Sequence, residues 1–448
     1  MTTAAAAKVV DTPVVEIARS AKAASRLLST LPTAAKDEAL ESIASALEAN
    51  AATILAANAT DVAAAQPLVR TGELSQALFQ RLLLSPDKLL VMIEGVRAVR
   101  QLPDPSGRIL DRTLLADGLT LEKITVPLGV LAVIFEARPD AITQISALAI
   151  KSGNAVILKG GHEVELTMRA ILDTMHTALA QHSRISPDAV CGVYGRESVQ
   201  ALLDMNHLID LVIPRGSNAL VQYIQRNTLI PVLGHADGVC HIFIDQAANP
   251  AIINRIVVDS KTQYPAVCNA VETVLIHTAI APAILPSLVH ALEEKSVKIR
   301  GDARTQSLLP SAAIDLVSDT EWHTEYSDLV LAIRIVDSLD DALDHIEQYG
   351  SHHTDAILTE DPATATRFFA EVDSANVLHN CSTRFTDGFR YGFGAEVGIS
   401  TSKLHARGPV GLDGIVTYKY RLTGSGHIVS DYTGANALPF RHQKLKLD

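Results

Sequence analysis

Residues 129–161 read GVLAVIFEARPDAITQISALAIKSGNAVILKGG. The stretch opens on a continuous apolar run, GVLAVIFEA, of the kind buried on both faces of a parallel sheet. ITQISALAIKSG follows, with apolar residues returning every three or four positions as on a helix. NAVILKGG then reads as a second strand that ends in glycines. Outward from here the alternation continues through a helix over 163–182 and the strand-like pieces CGVYG, LIDLVIPRGS and IPVLGH, with helices at 197–204 and 217–227. Strand–helix alternation over about 115 residues implies an α/β fold with a doubly wound parallel sheet. HIFID, near 241–245, is expected to close this half.

A second alternation starts near 250. A helix leads to Cys268, then come ETVLIH, a helix at 281–294, strands around VKIRG and LVLAIRIV, a helix at 338–348 and TDAILTE. Before residue 110 the chain reads as helices, over 13–63 and 76–101, to which no chemistry is assigned. RTLLADG and LTLEKITVP form a strand pair about a glycine turn, and GIVTYKYRLTG reads as a final strand. The span 382–415 is rich in glycine and has little periodicity.

At 448 residues the chain is long enough for a large core divided among two or three units. It is 48% apolar and 20% charged, which argues against disorder. The net charge of -12 and the lack of a Lys/Arg-rich run argue against nucleic acid as partner. A small anionic substrate stays open, because a local group of cations reverses the field within one cleft. No stretch reaches the ~18 apolar residues that span a bilayer. MTTAAAAKVVDTPVVEIARSAK has no apolar signal core, and Asp11 and Glu16 argue against a transit peptide, so the expected location is cytoplasmic.

Four cysteines, Cys191, Cys240, Cys268 and Cys381, contain no C-x-x-C pair. Neither a zinc site nor a disulfide framework is indicated, and a reducing compartment is expected. Cys268 sits in DSKTQYPAVCNAVET, where a loop with Pro265 is expected to feed a helix. A helix N-terminus would stabilise a thiolate, and its amides could hold an oxyanion. The alternative is a small core residue.

NAVILKGG and DLVIPRGSNAL place Lys159, Gly160, Gly161, Arg215 and Gly216 where strands give way to helices, the place where open α/β sheets bind ligands. Ser217 is an expected N-cap whose helix offers amides to a pyrophosphate. Neither segment is G-x-G-x-x-G, and plain tight turns remain the other reading. FEARPDA puts Arg138 after a buried strand, and a planar guanidinium suits phosphate or carboxylate. Arg384, Arg390, Lys403, His405 and Arg407 lie among glycines near the C-terminus, where they are either anion binders or surface charges. His352 and His353 lack partners at metal-ligand spacing and are read as structural. No metal is expected.

VPLGVLAVIFEARPDAITQISALAIKSGNAVILKGG, DLVIPRGSNALV, SKTQYPAVCNAVET, YGSHHTDAILTED and STRFTDGFRYGFGAEVGISTSKLHARGP closely resemble the γ-glutamyl phosphate reductases, a branch of the aldehyde dehydrogenase superfamily also called glutamate-5-semialdehyde dehydrogenases. The resemblance runs from about residue 12 to about 425. It implies an aldehyde dehydrogenase-like fold with two Rossmann-like parallel-sheet domains and a β oligomerisation flap. The expected division is 1–110 and 127–247 for a cofactor-binding domain, 248–413 for a catalytic domain, 111–126 and 414–430 for the flap, and 431–448 for a tail. A homo-oligomer is implied, a dimer by preference.

The same resemblance implies NADPH-dependent reduction of L-glutamyl 5-phosphate to L-glutamate 5-semialdehyde with release of phosphate, the second step of proline biosynthesis. Cys268 matches the nucleophile, Lys159 the lysine at the adenosine ribose and Ser217 the serine opening the pyrophosphate helix. Glu325 matches the glutamate at the nicotinamide ribose. Arg138, Asn269, Arg384 and Arg407 are expected at the substrate. The chain opens on the reductase helices, so it is expected to lack the kinase domain of the fused bifunctional form and to meet glutamate kinase, if at all, as a partner. The loop VLGHADGVC holds no glutamate where hydrolytic aldehyde dehydrogenases carry their water-activating base. A hydrolytic enzyme and a non-catalytic cofactor-binding homologue are the two rival readings.

Overall fold

The computed structural model describes residues 13–181, 184–234, 237–310 and 312–447. The reading of residues 1–12, with Asp11, and positions 235 and 236 of VLGHADGVC lie outside them. The chain divides into two units. One holds the residues up to Gly216, Tyr223–Val232 and those from Gly411 onward. The other holds Ser217–Gln222 and Leu233–Val410.

In the first unit, helices Val14–Leu28, Thr33–Ala49, Ala51–Thr71 and Pro86–Gln101 carry the early apolar periodicity. The first two bury several alanines, among them Ala18, Ala21 and Ala24 in one and Ala39 and Ala44 in the other, while Pro86–Gln101 buries Leu89, Met92, Ile93, Val96 and Val99. Local chemistry sets the ends. Ser85 Oγ accepts from the Lys88 N–H with Pro86 in the first turn, and Gly72, at φ 80°, stops Ala51–Thr71 in the left-handed region.

The quoted stretch forms the centre of a four-stranded sheet in the order Val190–Gly192, Ala155–Gly160, Val130–Phe135, Leu211–Arg215, and every pairing is parallel. The two middle strands are buried at every residue, which is why they read as unbroken apolar runs. Helix Pro139–Ser152 connects them and ends at Gly153, again left-handed at φ 83°. Phe135 stands opposite both Gly160 and Arg215, so the three carboxyl ends lie level along one edge.

A second sheet in this unit is antiparallel, ordered Val416–Thr423, Leu119–Pro127, Ile109–Ala116, Gln443–Lys444. Its first three strands are those expected of the flap. Glu122 on the central strand accepts from Arg112 and Arg421 on both neighbours, a cross-strand charge pairing. The fourth strand was not legible. Two residues, Gln443 and Lys444, pair with Leu114 and Thr113, too short a segment for alternation to show. Lys444–Asp111 and Arg441–Asp117 ion pairs pin the tail there.

The second unit is built on seven parallel strands, ordered Asp315–Leu316, Lys298–Gly301, Val330–Val336, Val271–His277, Cys240–Ile244, Thr354–Leu358, Asn376–His379. Alternate residues feed its two faces. Val274 and Ile276 pack with Leu285, Leu288 and Ile333, while Leu275 packs with Phe243, Ile346 and Phe368 on the other side. HIFID therefore belongs here, between Val271–His277 and Thr354–Leu358, and does not close the first half as expected. Which sheet a buried strand joins depends on the strands at its two edges, and an all-apolar run does not encode them. IPVLGH likewise supplies one bridge, Val212 to Val232, in place of a strand. Among the described residues no helix is long and apolar enough to cross a membrane.

Candidate active site

Cys268 lies in the second unit, in a turn between helix Pro250–Thr262 and strand Val271–His277. The expectation of a helix N-terminus at Cys268 is thus corrected. The segment after it, VETVLIH, is β-branched and apolar and extends as a central strand, so no following helix dipole faces the thiol.

Two contacts reach the turn, and a third fixes the Gly238 loop against it. Gly238 packs so closely that a β-carbon there would sit 2.6 Å from Cys268 Cα and 2.7 Å from its Cβ. The Gly238 N–H donates to Glu325 Oε2 at 2.9 Å. Cys240 Sγ donates to the Cys268 carbonyl at 3.1 Å. Beneath the turn, Lys261 Nζ and Glu272 Oε2 meet at 2.7 Å with both side chains fully buried. Burial pushes the Glu272 carboxyl up to about 8, against the pull of Lys261.

Cys268 is half-buried. The other three thiols are held protonated. Burial raises Cys191 to about 12, raises Cys240 well above its ordinary value, and raises Cys381 despite a backbone hydrogen bond that pulls it down. His353, fully buried with Nδ1 2.9 Å from Thr354 Oγ1, fits its structural reading.

The short turn Thr383–Phe385 carries Arg384, only 7% exposed. Among the described residues no carboxylate forms an ion pair with it. Its Nε donates to Gln263 Oε1 at 2.9 Å. Burial lowers its pKa, helped by the neighbouring charge of Arg390. Asn269 does not face outward as expected of a substrate contact. Its Nδ2 donates to the Thr386 carbonyl at 2.8 Å, while Oδ1 is buried without a partner, so it ties the Arg384 turn to the Cys268 turn. Arg407 is also committed. Its guanidinium bonds the carboxylate and carbonyl of Asp373, both at 2.8 Å, and Asp373 is pulled down to about 2 by Lys403 and then Arg407. Arg390 pairs with Asp387.

In the first unit, the level strand ends gather the residues after each strand along one edge. Lys159, 8% exposed, donates to the Gly160 carbonyl at 2.6 Å. Burial lowers its pKa against the pull of Glu163. Glu163 also accepts from the Ala137 N–H at 2.7 Å, tying the loop after Phe135 to the turn after Gly161. Arg138 donates to Asp140 at 2.9 Å. The Asp140 carboxyl stays below the usual range although burial opposes this, because Arg138 and Arg215 lie beside it. Arg215 and Gly216 end the last strand of this sheet. Ser217, where the chain passes into the other unit, precedes helix Asn218–Arg226, and its carbonyl accepts from the Val221 N–H at 3.1 Å, the position expected of an N-cap. Lys159, Arg138 and Arg215 share one edge; Cys268, Glu325, Asn269 and Arg384 share one neighbourhood in the other unit.

A model of the aldehyde dehydrogenase family matches residues 2–308. A γ-glutamyl phosphate reductase of Synechococcus sp. (strain JA-3-3Ab) is 53% identical over 435 residues, covering 97% of this chain and 95% of that protein. The chain belongs to the γ-glutamyl phosphate reductase family. A γ-glutamyl phosphate reductase 1 of Synechocystis sp. is 53% identical over 429 residues, covering 96% of this chain and 97% of that one. The crystal structure of a γ-glutamyl phosphate reductase from Thermotoga maritima superposes with a TM-score of 0.89 at 36% identity, covering 93% of this chain and all of that one. The aldehyde dehydrogenase-like α/β architecture implied by the resemblance is borne out.

Within this reductase family frame, three site features went unread in the sequence. Gly238 lies thirty residues before Cys268, and nothing local marks it as a contact. Gln263 is one of many polar residues at helix ends. Lys261 and Glu272 carry no local mark as a pair; only their place in the central strand and its preceding helix buries them. A Glu within the apolar run VETVLIH was the one available signal, since strand interiors rarely keep an acid without a partner.

Proposed function

We propose that the chain reduces L-glutamyl 5-phosphate to L-glutamate 5-semialdehyde with NADPH, releasing phosphate, through a thioester on Cys268. The observation that carries this reading is a half-buried thiol next to a turn bearing a buried guanidinium with no carboxylate pair among the described residues, in a chain that matches γ-glutamyl phosphate reductases over nearly its whole length. The first unit's sheet would form the cofactor domain, the seven-stranded sheet the catalytic domain, and the antiparallel sheet an oligomerisation flap serving a homodimer in the cytoplasm. Glutamate kinase is the proposed supplier of the labile acyl phosphate.

A phosphorylated dinucleotide fits the strand ends of the first unit. Lys159 and Arg215 bring positive charge to the carboxyl edge of parallel strands, and Gly160 and Gly161 keep the backbone there bare. When bound, the nicotinamide supplies a hydride to the thioester carbonyl. The Cys268 thiolate first attacks the acyl carbon. The C–S bond forms, the C–O bond to phosphate breaks, and phosphate leaves with the electron pair, needing no acid. In this reading the Cys268 N–H donates to the oxyanion of the tetrahedral intermediate. After reduction the C–S bond breaks, releasing the aldehyde and regenerating the thiolate. Two easier steps replace one hard one. Arg384 holds the anionic end of the substrate near the sulfur.

One observation favours the hydrolytic alternative. Glu325, from elsewhere in the chain, places a carboxylate on Gly238, in the loop that lacks its own glutamate. The assay that separates the readings is oxidation of glutamate semialdehyde with and without phosphate, using NADP+ or NAD+. Strict phosphate dependence with NADP+ preferred is expected. Turnover to free acid without phosphate sinks the reading. Cys268→Ser is expected to lose activity by on the order of a thousandfold or more, and retained turnover would eliminate the thioester.

A further inference from the structure

We propose that Gln263 is a positioning residue that sets the anion-binding fork of Arg384, so that the two terminal nitrogens of this guanidinium take the phosphate group leaving from the acyl carbon at Cys268. The inference rests on the reading above, that an acyl phosphate reacts at this sulfur.

Arg384 is 7% exposed and has no ion pair among the described residues. A buried guanidinium without a counter-ion is costly, and an anion arriving with the substrate relieves that cost. Its Nε is occupied by Gln263 Oε1 at 2.9 Å. With that edge occupied, the free edge is the pair of terminal nitrogens, which matches two phosphate oxygens in a bidentate fork. The acceptor is a neutral amide oxygen. It orients the guanidinium without cancelling its charge, which a carboxylate in the same place would do.

The turn carrying Arg384 is locked to the segment carrying Cys268 at three further points. Ser260 Oγ bonds Ser382 Oγ at 3.1 Å and accepts from the Thr383 N–H at 3.2 Å, and Asn269 Nδ2 reaches the Thr386 carbonyl at 2.8 Å. Sulfur and guanidinium are therefore held by one set of hydrogen bonds. The phosphate sits one bond from the carbon that Cys268 attacks, whereas the substrate's α-carboxylate lies at the far end of its carbon chain. The anion belonging to this guanidinium is the nearer one. Gln263 is itself exposed, at the end of helix Pro250–Thr262, and supports no core packing.

The test uses the purified full chain in the oxidative direction, varying inorganic phosphate at saturating semialdehyde and the reverse, with Gln263→Ala and Gln263→Glu. Both variants are expected to raise the phosphate KM about tenfold, the loss of one hydrogen bond to a charged group. The semialdehyde KM and Tm should stay at wild-type values. Protection of Cys268 by phosphate against iodoacetamide should require correspondingly more phosphate. An unchanged phosphate KM in both variants overturns the proposal, as does a semialdehyde KM that rises in step with it. A wild-type chain that needs no phosphate defeats the functional reading itself; a phosphate-dependent wild type with unmoved variants defeats only this inference.

Discussion

At Gly238 the chain has no room for a side chain. Adding one methyl group would bring it within 2.7 Å of the Cys268 backbone and Cβ, closer than real β-carbons approach. Gly238→Ala must therefore displace either its own loop, which is tied to Glu325, or the Cys268 turn. Displacement of a nucleophile by about 1 Å costs on the order of a hundredfold, so kcat should fall by roughly that factor while the folded circular dichroism spectrum persists. A variant with wild-type kcat would show that the contact has slack. The same scale holds the contrast among the arginines. Arg384 is buried without a carboxylate partner among the described residues, whereas Arg138 and Arg407 are matched by Asp140 and Asp373. The type of residue was visible in the sequence for all three; the surroundings of Arg384 and Arg407 were not, because Gln263 and Asp373 come from distant positions, whereas Asp140 lies two residues from Arg138.

At the scale of elements, Lys261 closes one helix and Glu272 opens the central strand, and the Cys268 turn lies between them. Their ion pair clamps both ends of that turn. Burial already pushes the Glu272 carboxyl up to about 8, so without Lys261 it remains as a buried acid that has lost its hydrogen-bond partner, and Lys261→Met should destabilise the chain by about 1–3 kcal/mol. Adding Glu272→Leu should restore most of that loss, since two apolar groups of similar size need no counter-charge. Urea denaturation of the single and double variants measures both effects, and a double variant no more stable than the single one would refute the clamp. Elements themselves were largely legible. The buried strands Val130–Phe135 and Ala155–Gly160 and the amphipathic helices appear where periodicity placed them. The misplaced HIFID strand and the missed Gln443–Lys444 strand share one cause: strand pairing is a long-range choice, made by edges that local sequence does not describe.

Over the whole molecule, acid stability should depend on one buried histidine. His345 is 2% exposed; its Nδ1 accepts from Arg334 at 2.7 Å, and its ring meets those of His241, Trp322 and Tyr349. Burial lowers its pKa to about 2, and the charges of His241, Arg334 and His323 act in the same direction. The folded chain keeps this ring neutral while the unfolded chain protonates it below about 6.5. Stability is thus complete above that pH and lost as pH falls from there toward 2, by at most about 1.4 kcal/mol per pH unit. His345→Asn should flatten the fall in Tm between pH 6.5 and 5 relative to wild type. Parallel curves would show that the ring is not the group titrating.

The α/β class, the two runs of strand–helix alternation and the family were determined by the sequence alone, because apolar periodicity and continuous motifs are local records. The assignment of strands to sheets, the burial of Lys261 and Glu272, the turn in place of a helix at Cys268, and the pairing of Arg407 but not Arg384 with a carboxylate among the described residues were decided only by the tertiary structure. The physical reason is that pairing, desolvation and charge compensation depend on what a residue meets across the fold, and those neighbours stand tens to hundreds of positions away.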